Sequence, residues 1–185
     1  MAPKTKTDRG AILGAALQLV REEGMDALNA RALANRMGIS TQPIFSQFSG
    51  MGELAAEVRK AAAEEYRERI GRAMRADPEH AYRASGMAYI AFAREEPQLF
   101  RDLFMRDRTG EQEEENKELT DMAELLRARL GLSREDATFF HLEMWVVVHG
   151  VATMIATSFL VWNEETISRI LTDLYNGLRC RYEKE

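Results

Sequence analysis

A chain of 185 residues has room for one or two small domains with a proper core. No run of eighteen or more apolar residues occurs, so a membrane-spanning helix is not expected. A single cysteine, Cys180, excludes an intrachain disulfide. The net charge is −5, divided as +2 over residues 1–50 and −7 over residues 51–185, so the basic bias lies in the first part. The opening MAPKTKTDRG lacks an apolar core and is not a secretory signal, and a cytoplasmic protein is expected. Four prolines, few β-branched runs and repeated helical periodicity predict an all-α fold of about nine helices.

The chain opens on a polar arm, residues 1–7, in which Lys4 and Lys6 either touch phosphate or a minor groove or belong to a solvated tail. A first helix follows over residues 7–23, with Ile12, Ala16, Leu19 and Val20 as its buried stripe and Gly24 at its end. Residues 29–48, NARALANRMGISTQPIFSQF, then read as a helix-turn-helix. Ala30, Leu33, Ala34 and Met37 recur at i, i+3, i+4, i+7, and Asn29 stands at the N-cap. Gly38 suits the left-handed turn, and Ile39 returns to the core. Ser40 is expected to cap the second short helix, with Thr41, Gln42 and Pro43 in its first turn. Ile44, Phe45 and Phe48 are expected on its buried side. Its outward side presents Thr41, Gln42, Ser46 and Gln47, short uncharged polar side chains that suit base edges in a major groove.

A fourth helix is expected over about residues 50–75, with Ala55, Val58, Ala62, Tyr66 and Ile70 on its apolar face. Asp77-Pro78 breaks the chain before a helix over residues 79–95. Pro97 suits the first position of the next helix, which carries Leu99, Phe100, Leu103, Phe104 and Met105. Residues 106–118 are charged and read as a solvated loop or a fraying helix start, and EQEEEN has no metal-ligand spacing. A helix over residues 119–130 ends at Gly131. Ser133 and Asp136 form a capping box opening a long helix to about residue 161. That helix is apolar nearly all round, and a monomer of this size has one inner side to offer, so a second chain is the natural cover. Asn163 caps a final helix with Ile167, Ile170, Leu171, Leu174, Tyr175 and Leu178 on one face.

The three histidines, His80, His141 and His149, form no Glu-x-x-His or HExxH pattern, and no Cys–His cluster or glycine-rich phosphate loop occurs. No catalytic residue, metal or cofactor is expected. Cys180 beside Arg179 and Arg181 is either a passive cysteine or a thiol of lowered pKa. Met87, Phe92, Phe100, Phe104, Met105, Phe140, Met144 and Met154 are more large, soft side chains than one helical layer needs. They make either a well-packed core or a cavity between the helices of residues 79–106 and the helix from residue 135. A cavity there would take an apolar or aromatic effector, with Tyr89, Trp145 and His149 as polar contacts; His149 reads equally as a hydrogen-bonded core histidine.

Ala15-Ala16-Leu17, Gly24, Leu33-Ala34, Gly38-Ile39-Ser40, Ile44-Phe45, Phe48 and Glu53-Leu54 together resemble the DNA-binding domain of the tetracycline-repressor (TetR) family of one-component transcriptional regulators. The stretch AYIAFAREEPQLFRDLFMRDR resembles one branch of that family, and Trp145, His149 and Gly150 resemble the Trp-His-Gly signature of some of its C-terminal domains. The resemblance implies a helix-turn-helix DNA-binding domain over residues 1–50 and a helical effector-binding and dimerising domain over residues 51–185. It implies a homodimer through the last two helices, binding double-stranded DNA at a palindromic operator, with repression relieved by a small hydrophobic effector and no membrane partner. In that frame Thr41, Gln42 and Gln47 read bases, and Lys6, Arg31, Ser40 and Ser46 hold phosphate; Asn29, Pro43, Phe45 and Met51 complete the surface. Met51 replaces a common phosphate-gripping lysine, Phe45 a usual tyrosine and Gln47 a common histidine. Backbone N–H groups around Met51 and Gly52 still suit a phosphate. The Met51 and Phe45 departures motivate an alternative, a helical dimeric interaction protein with weak or lost operator affinity.

Overall fold

The computed structural model describes residues 8–107, 109, 112–160 and 162–182. They form α1 (Arg9–Glu23), a 3₁₀ turn (Met25–Ala27), α2 (Ala30–Met37), α3 (Gln42–Gln47), α4 (Met51–Ala76), α5 (Ala81–Glu95), α6 (Pro97–Phe104), α7 (Gln112–Leu130), α8 (Arg134–Ala156) and α9 (Glu164–Tyr182). No strand occurs among the described residues, and the fold is all-α. By packing, the chain divides into two compact units, Met1–Arg67 with Glu96–Arg106, and Glu68–Glu95 with Asp107–Glu185. α6 packs on α1 and so joins the first unit.

In the first unit, Ile12, Ala16, Leu17, Leu19 and Val20 form the buried face of α1. α1 packs on α2 and α3, and Leu33 and Ala34 of α2, Ile44 of α3, and Leu54 and Val58 of α4 are also buried in this unit. Gly24 ends α1 at φ 88°, a conformation an L side chain rarely adopts, and a Cβ there would stand 3.2 Å from Gln98 Oε1. The unit is also stitched by charge. Arg21 pairs with Glu96 at 2.9 Å and with Glu65, and Arg59 pairs with the largely buried Asp102 at 3.1 Å. Tyr66 meets Phe104 edge-on, with ring centroids 5.0 Å apart.

In the second unit α8 is the central helix, packed against α5, α7 and α9. Ala137, Phe140, His141, Met144, Val148, Val151, Ala152 and Ala156 are its buried residues. An 18-residue window of α8 reaches a mean hydropathy of 1.5, so length and composition alone would let it cross a membrane; 39% of the window is buried among its neighbours. Strict runs miss this, because Glu143 and His141 interrupt the apolar residues. Phe140 is fully buried against Tyr175 and Tyr182 of α9.

Two boundaries and the bonding of one cap depart from the sequence expectations. First, α7 starts at Gln112 rather than near residue 119, so of the loop and helix-start readings of residues 106–118 the helix start holds from Gln112 on. Glu and Gln are good helix formers, which apolar periodicity does not register. Second, α8 stops at Ala156: Thr157 Oγ1 donates to the Thr153 carbonyl at 2.8 Å, and Ser158 turns to φ 56°. Third, Ser133 Oγ accepts from the Asp136 N–H and donates to the Asp136 carboxylate, so the capping box lacks its return bond to the backbone. Asn163 caps α9 as expected, its Oδ1 accepting from the Thr166 N–H at 2.8 Å.

His141 is buried and its Nδ1 is 2.9 Å from the Tyr82 hydroxyl of α5. Burial pushes its pKa down from 6.5 to about 4. The folded state therefore holds His141 neutral while the unfolded chain protonates first as pH falls. Its stability contribution is complete above about pH 6.5 and declines to about pH 4, by roughly 3 kcal/mol. Urea titrations across that window should show a flatter pH dependence for His141→Gln, which keeps an acceptor for Tyr82. Equal slopes in the two proteins would remove this account.

Candidate nucleic-acid interface

The helix-turn-helix is built from its ends inward. Asn29 Oδ1 accepts from the Ala32 N–H at 2.9 Å, and its Nδ2 donates to the Ala27 carbonyl at 3.1 Å. Both polar ends of Asn29 thus serve the start of α2, and its contribution to the surface is to position that start. Gly38 ends α2 in the left-handed region at φ 65°, and the Ile39 N–H bonds back to the Ala34 carbonyl. Thr41, not Ser40, is the N-cap of α3, and it makes no side-chain cap bond. The first helical bond of α3 runs from the Ile44 N–H to the Thr41 carbonyl, so Pro43, in the first turn, removes no needed donor.

Ile44 and Phe48 are buried and hold α3 onto the core. Phe45 is 52% exposed, which corrects its expected place on the buried side. With Ile44 and Phe48 four residues apart on the inner side, the next position round the helix faces out. The outer surface then collects Ser40, Thr41, Gln42, Ser46 and Gln47, all exposed, with exposed Phe45 among them and Pro43 half-buried. The Ser46 hydroxyl donates to the Pro43 carbonyl at 2.8 Å, so its proton is committed to the helix. Arg31 at the start of α2 is exposed, and among the described residues no carboxylate is within ion-pair distance of it. Arg36 differs: it is bidentate to Glu22 at 2.7 and 2.8 Å, which raises the Arg36 pKa and lowers that of Glu22. Met51 is the half-buried first residue of α4. Lys6 lies outside the described residues.

Behind α3 stands a group that spacing does not reveal. Arg9 Nη1 donates to the Gln47 carbonyl at 2.6 Å, and Nη2 lies 2.8 Å from Glu53 and 3.6 Å from Glu57. Its guanidinium sits 4.2 Å over the Phe48 ring. Glu53 also accepts from the Ser49 N–H at 2.7 Å. The bonds from Ser49, then that from Arg9, pull the Glu53 pKa down to about 2.

The expected effector contacts fall in both units. Phe100 and Phe104 lie in the first. In the second, Tyr89, Phe92, Phe140 and Met144 are buried, Met87 and His149 are half-buried, and Trp145 is exposed. The structure brings Tyr89, Trp145 and His149 together: the Tyr89 hydroxyl is 2.8 Å from His149 Nδ1, and Trp145 stacks on His149 with centroids 5.0 Å apart. Burial lowers the His149 pKa.

No protein of the curated set matches the chain. Residues 12–58 match the family model described as bacterial regulatory proteins, tetR family, and residues 82–174 match the model described as tetracyclin repressor-like, C-terminal domain. An exposed polar recognition helix on a buried scaffold, joined in one chain to that C-terminal domain, identifies a DNA-binding transcriptional regulator that belongs to the TetR family.

Proposed function

We propose that the protein is a repressor that grips a palindromic operator as a homodimer and releases it when a small hydrophobic effector binds. The observation that carries this reading is the outer face of α3, where Thr41, Gln42 and Gln47 are exposed on a helix whose other side is buried. Glutamine suits adenine through N6 and N7, and a good pair supplies about 1–3 kcal/mol of discrimination. Arg31 and Ser40 supply phosphate contacts, and Phe45 offers an apolar surface to a thymine methyl or a sugar. DNA binding is assigned to residues 1–50 and effector binding with dimerisation to residues 51–185.

The dimer reading rests on apolar side chains that one chain leaves in water. Phe139 is 56%, Val146 62% and Phe159 75% exposed, and Trp145 and Leu160 are also exposed. Apolar surface of this kind on and just after one helix favours burial against its own copy. For the effector, the support is the Tyr89–His149–Trp145 group, with Met87 half-buried in the same unit. The stacked Trp145–His149 pair supports a C-terminal domain of the Trp-His-Gly type. The effector acts through differential affinity for two conformations, since a ligand that binds both equally shifts nothing.

Two outcomes test this. Gln42→Ala should lose preference for a duplex enriched by the wild-type protein from a random library while keeping its affinity for a scrambled duplex. Arg31→Ala should weaken both and reduce the slope of log affinity against log salt by about one. Equal loss by Gln42→Ala on both duplexes contradicts the base-reading role, and a wild type with no sequence preference favours a dimeric interaction protein instead. Separately, Val146→Arg should sediment as a monomer and lose tight binding to a duplex whose half-sites lie about 34–36 Å apart. A wild type that is already monomeric at micromolar concentration rejects the dimer.

A further inference from the structure

Resting on the DNA-binding reading above, we infer that Arg9 is a positioning residue for operator recognition: with Glu53 it clamps the C-terminal end of α3, and it does not bind phosphate.

α3 has six residues, too few to be stable alone, and its last carbonyls have no partner within the helix. Arg9 Nη1 takes the Gln47 carbonyl, the last of the helix, at 2.6 Å. The same guanidinium covers Phe48, the buried residue that follows, at 4.2 Å from its ring centroid. Nη2 carries the link onward to Glu53, whose carboxylate also takes the Ser49 N–H of the α3–α4 turn. One planar fork therefore joins the start of α1, the end of α3 and the first turn of α4. Gln47, offered for base reading, has its own backbone in this clamp, so a shift of the clamp moves a reading side chain directly.

Charge argues against a phosphate role. Arg9 faces two carboxylates, Glu53 at 2.8 Å and Glu57 at 3.6 Å, so the local cluster is net negative and repels a phosphate. The Ser49 N–H holds Glu53 ionised, its pKa down at about 2, so the pairing persists at every working pH. A lysine would keep the charge but lose the fork and the planar stacking on Phe48.

The experiment compares wild type, Arg9→Gln, Arg9→Lys and Glu53→Gln on two probes: the duplex enriched by the wild type from a random library, and its scrambled version, each across a salt series. Hydrogen exchange of α3 is followed without DNA, and circular dichroism checks folding. Arg9→Gln should lose about tenfold or more on the enriched duplex, change little on the scrambled one and keep the salt slope. Arg9→Lys should fail to restore preference, Glu53→Gln should also lose it, and amides of α3 should exchange faster in Arg9→Gln. A phosphate ligand behaves oppositely. Its loss lowers the slope by about one on both duplexes, lysine rescues it, and Glu53→Gln tightens binding by freeing the cation; that pattern overturns the proposal. Should the wild type show no sequence preference, the DNA-binding reading fails with it. Hydrogen exchange then decides the clamp alone: faster α3 exchange in Arg9→Gln supports it, and unchanged exchange overturns it.

Discussion

The constraint on which the DNA-facing half of this protein depends is the shortness of α3. A helix of six residues cannot hold itself in water, so its geometry is borrowed from its neighbours. Ile44 and Phe48 lock one side into the core that α1, α2 and α4 complete. Gly38 sets the turn that feeds it, since only a left-handed residue brings Ile39 back to the Ala34 carbonyl there. Thr41 adds no side-chain cap, so the N-terminal end is held by the turn and the C-terminal end by Arg9 and Glu53. Because so much of the anchoring is tertiary, the side chains of Thr41, Gln42 and Gln47 stay exposed on the outer face while their backbone belongs to the helix.

The second unit solves a different problem. α8 is apolar nearly all round; α5, α7 and α9 pack against it and leave its Phe139, Trp145 and Val146 exposed. Two polar pairs join α5 to α8 within that packing, Tyr82 with His141 and Tyr89 with His149. A buried imidazole with a hydroxyl partner avoids the cost of an orphaned polar atom. Dispersion and area do the rest: Phe92 and Phe140 are fully buried.

Much of this was legible in the residues because caps and breakers act locally. Asn29, Gly38, Asn163 and Pro97 each sit where their own backbone chemistry places them, so neighbours in sequence sufficed. Periodicity located the cores of α1 and α2 for the same reason. It misled where a short helix has too few turns to average over: Phe45 is apolar yet faces out, because Ile44 and Phe48 already fill the inner side. It found α7 only from about residue 119 and missed its start, where Glu and Gln favour helix without an apolar stripe. The end of α8 turns on a threonine hydroxyl competing for a backbone carbonyl, a choice invisible in hydropathy. Arg9 was out of reach for a plainer reason. Its partners Gln47 and Glu53 are 38 and 44 residues away, and only the fold brings them together.

The central claim is that the outer face of α3 enters a major groove. Methylation interference on the enriched duplex measures this directly, because dimethyl sulfate modifies guanine N7 in the major groove and adenine N3 in the minor groove. The account predicts interference from guanine N7 in two patches about one helical turn, roughly 34–36 Å, apart. Interference confined to adenine N3, or none at either position on a duplex that still binds, would contradict it.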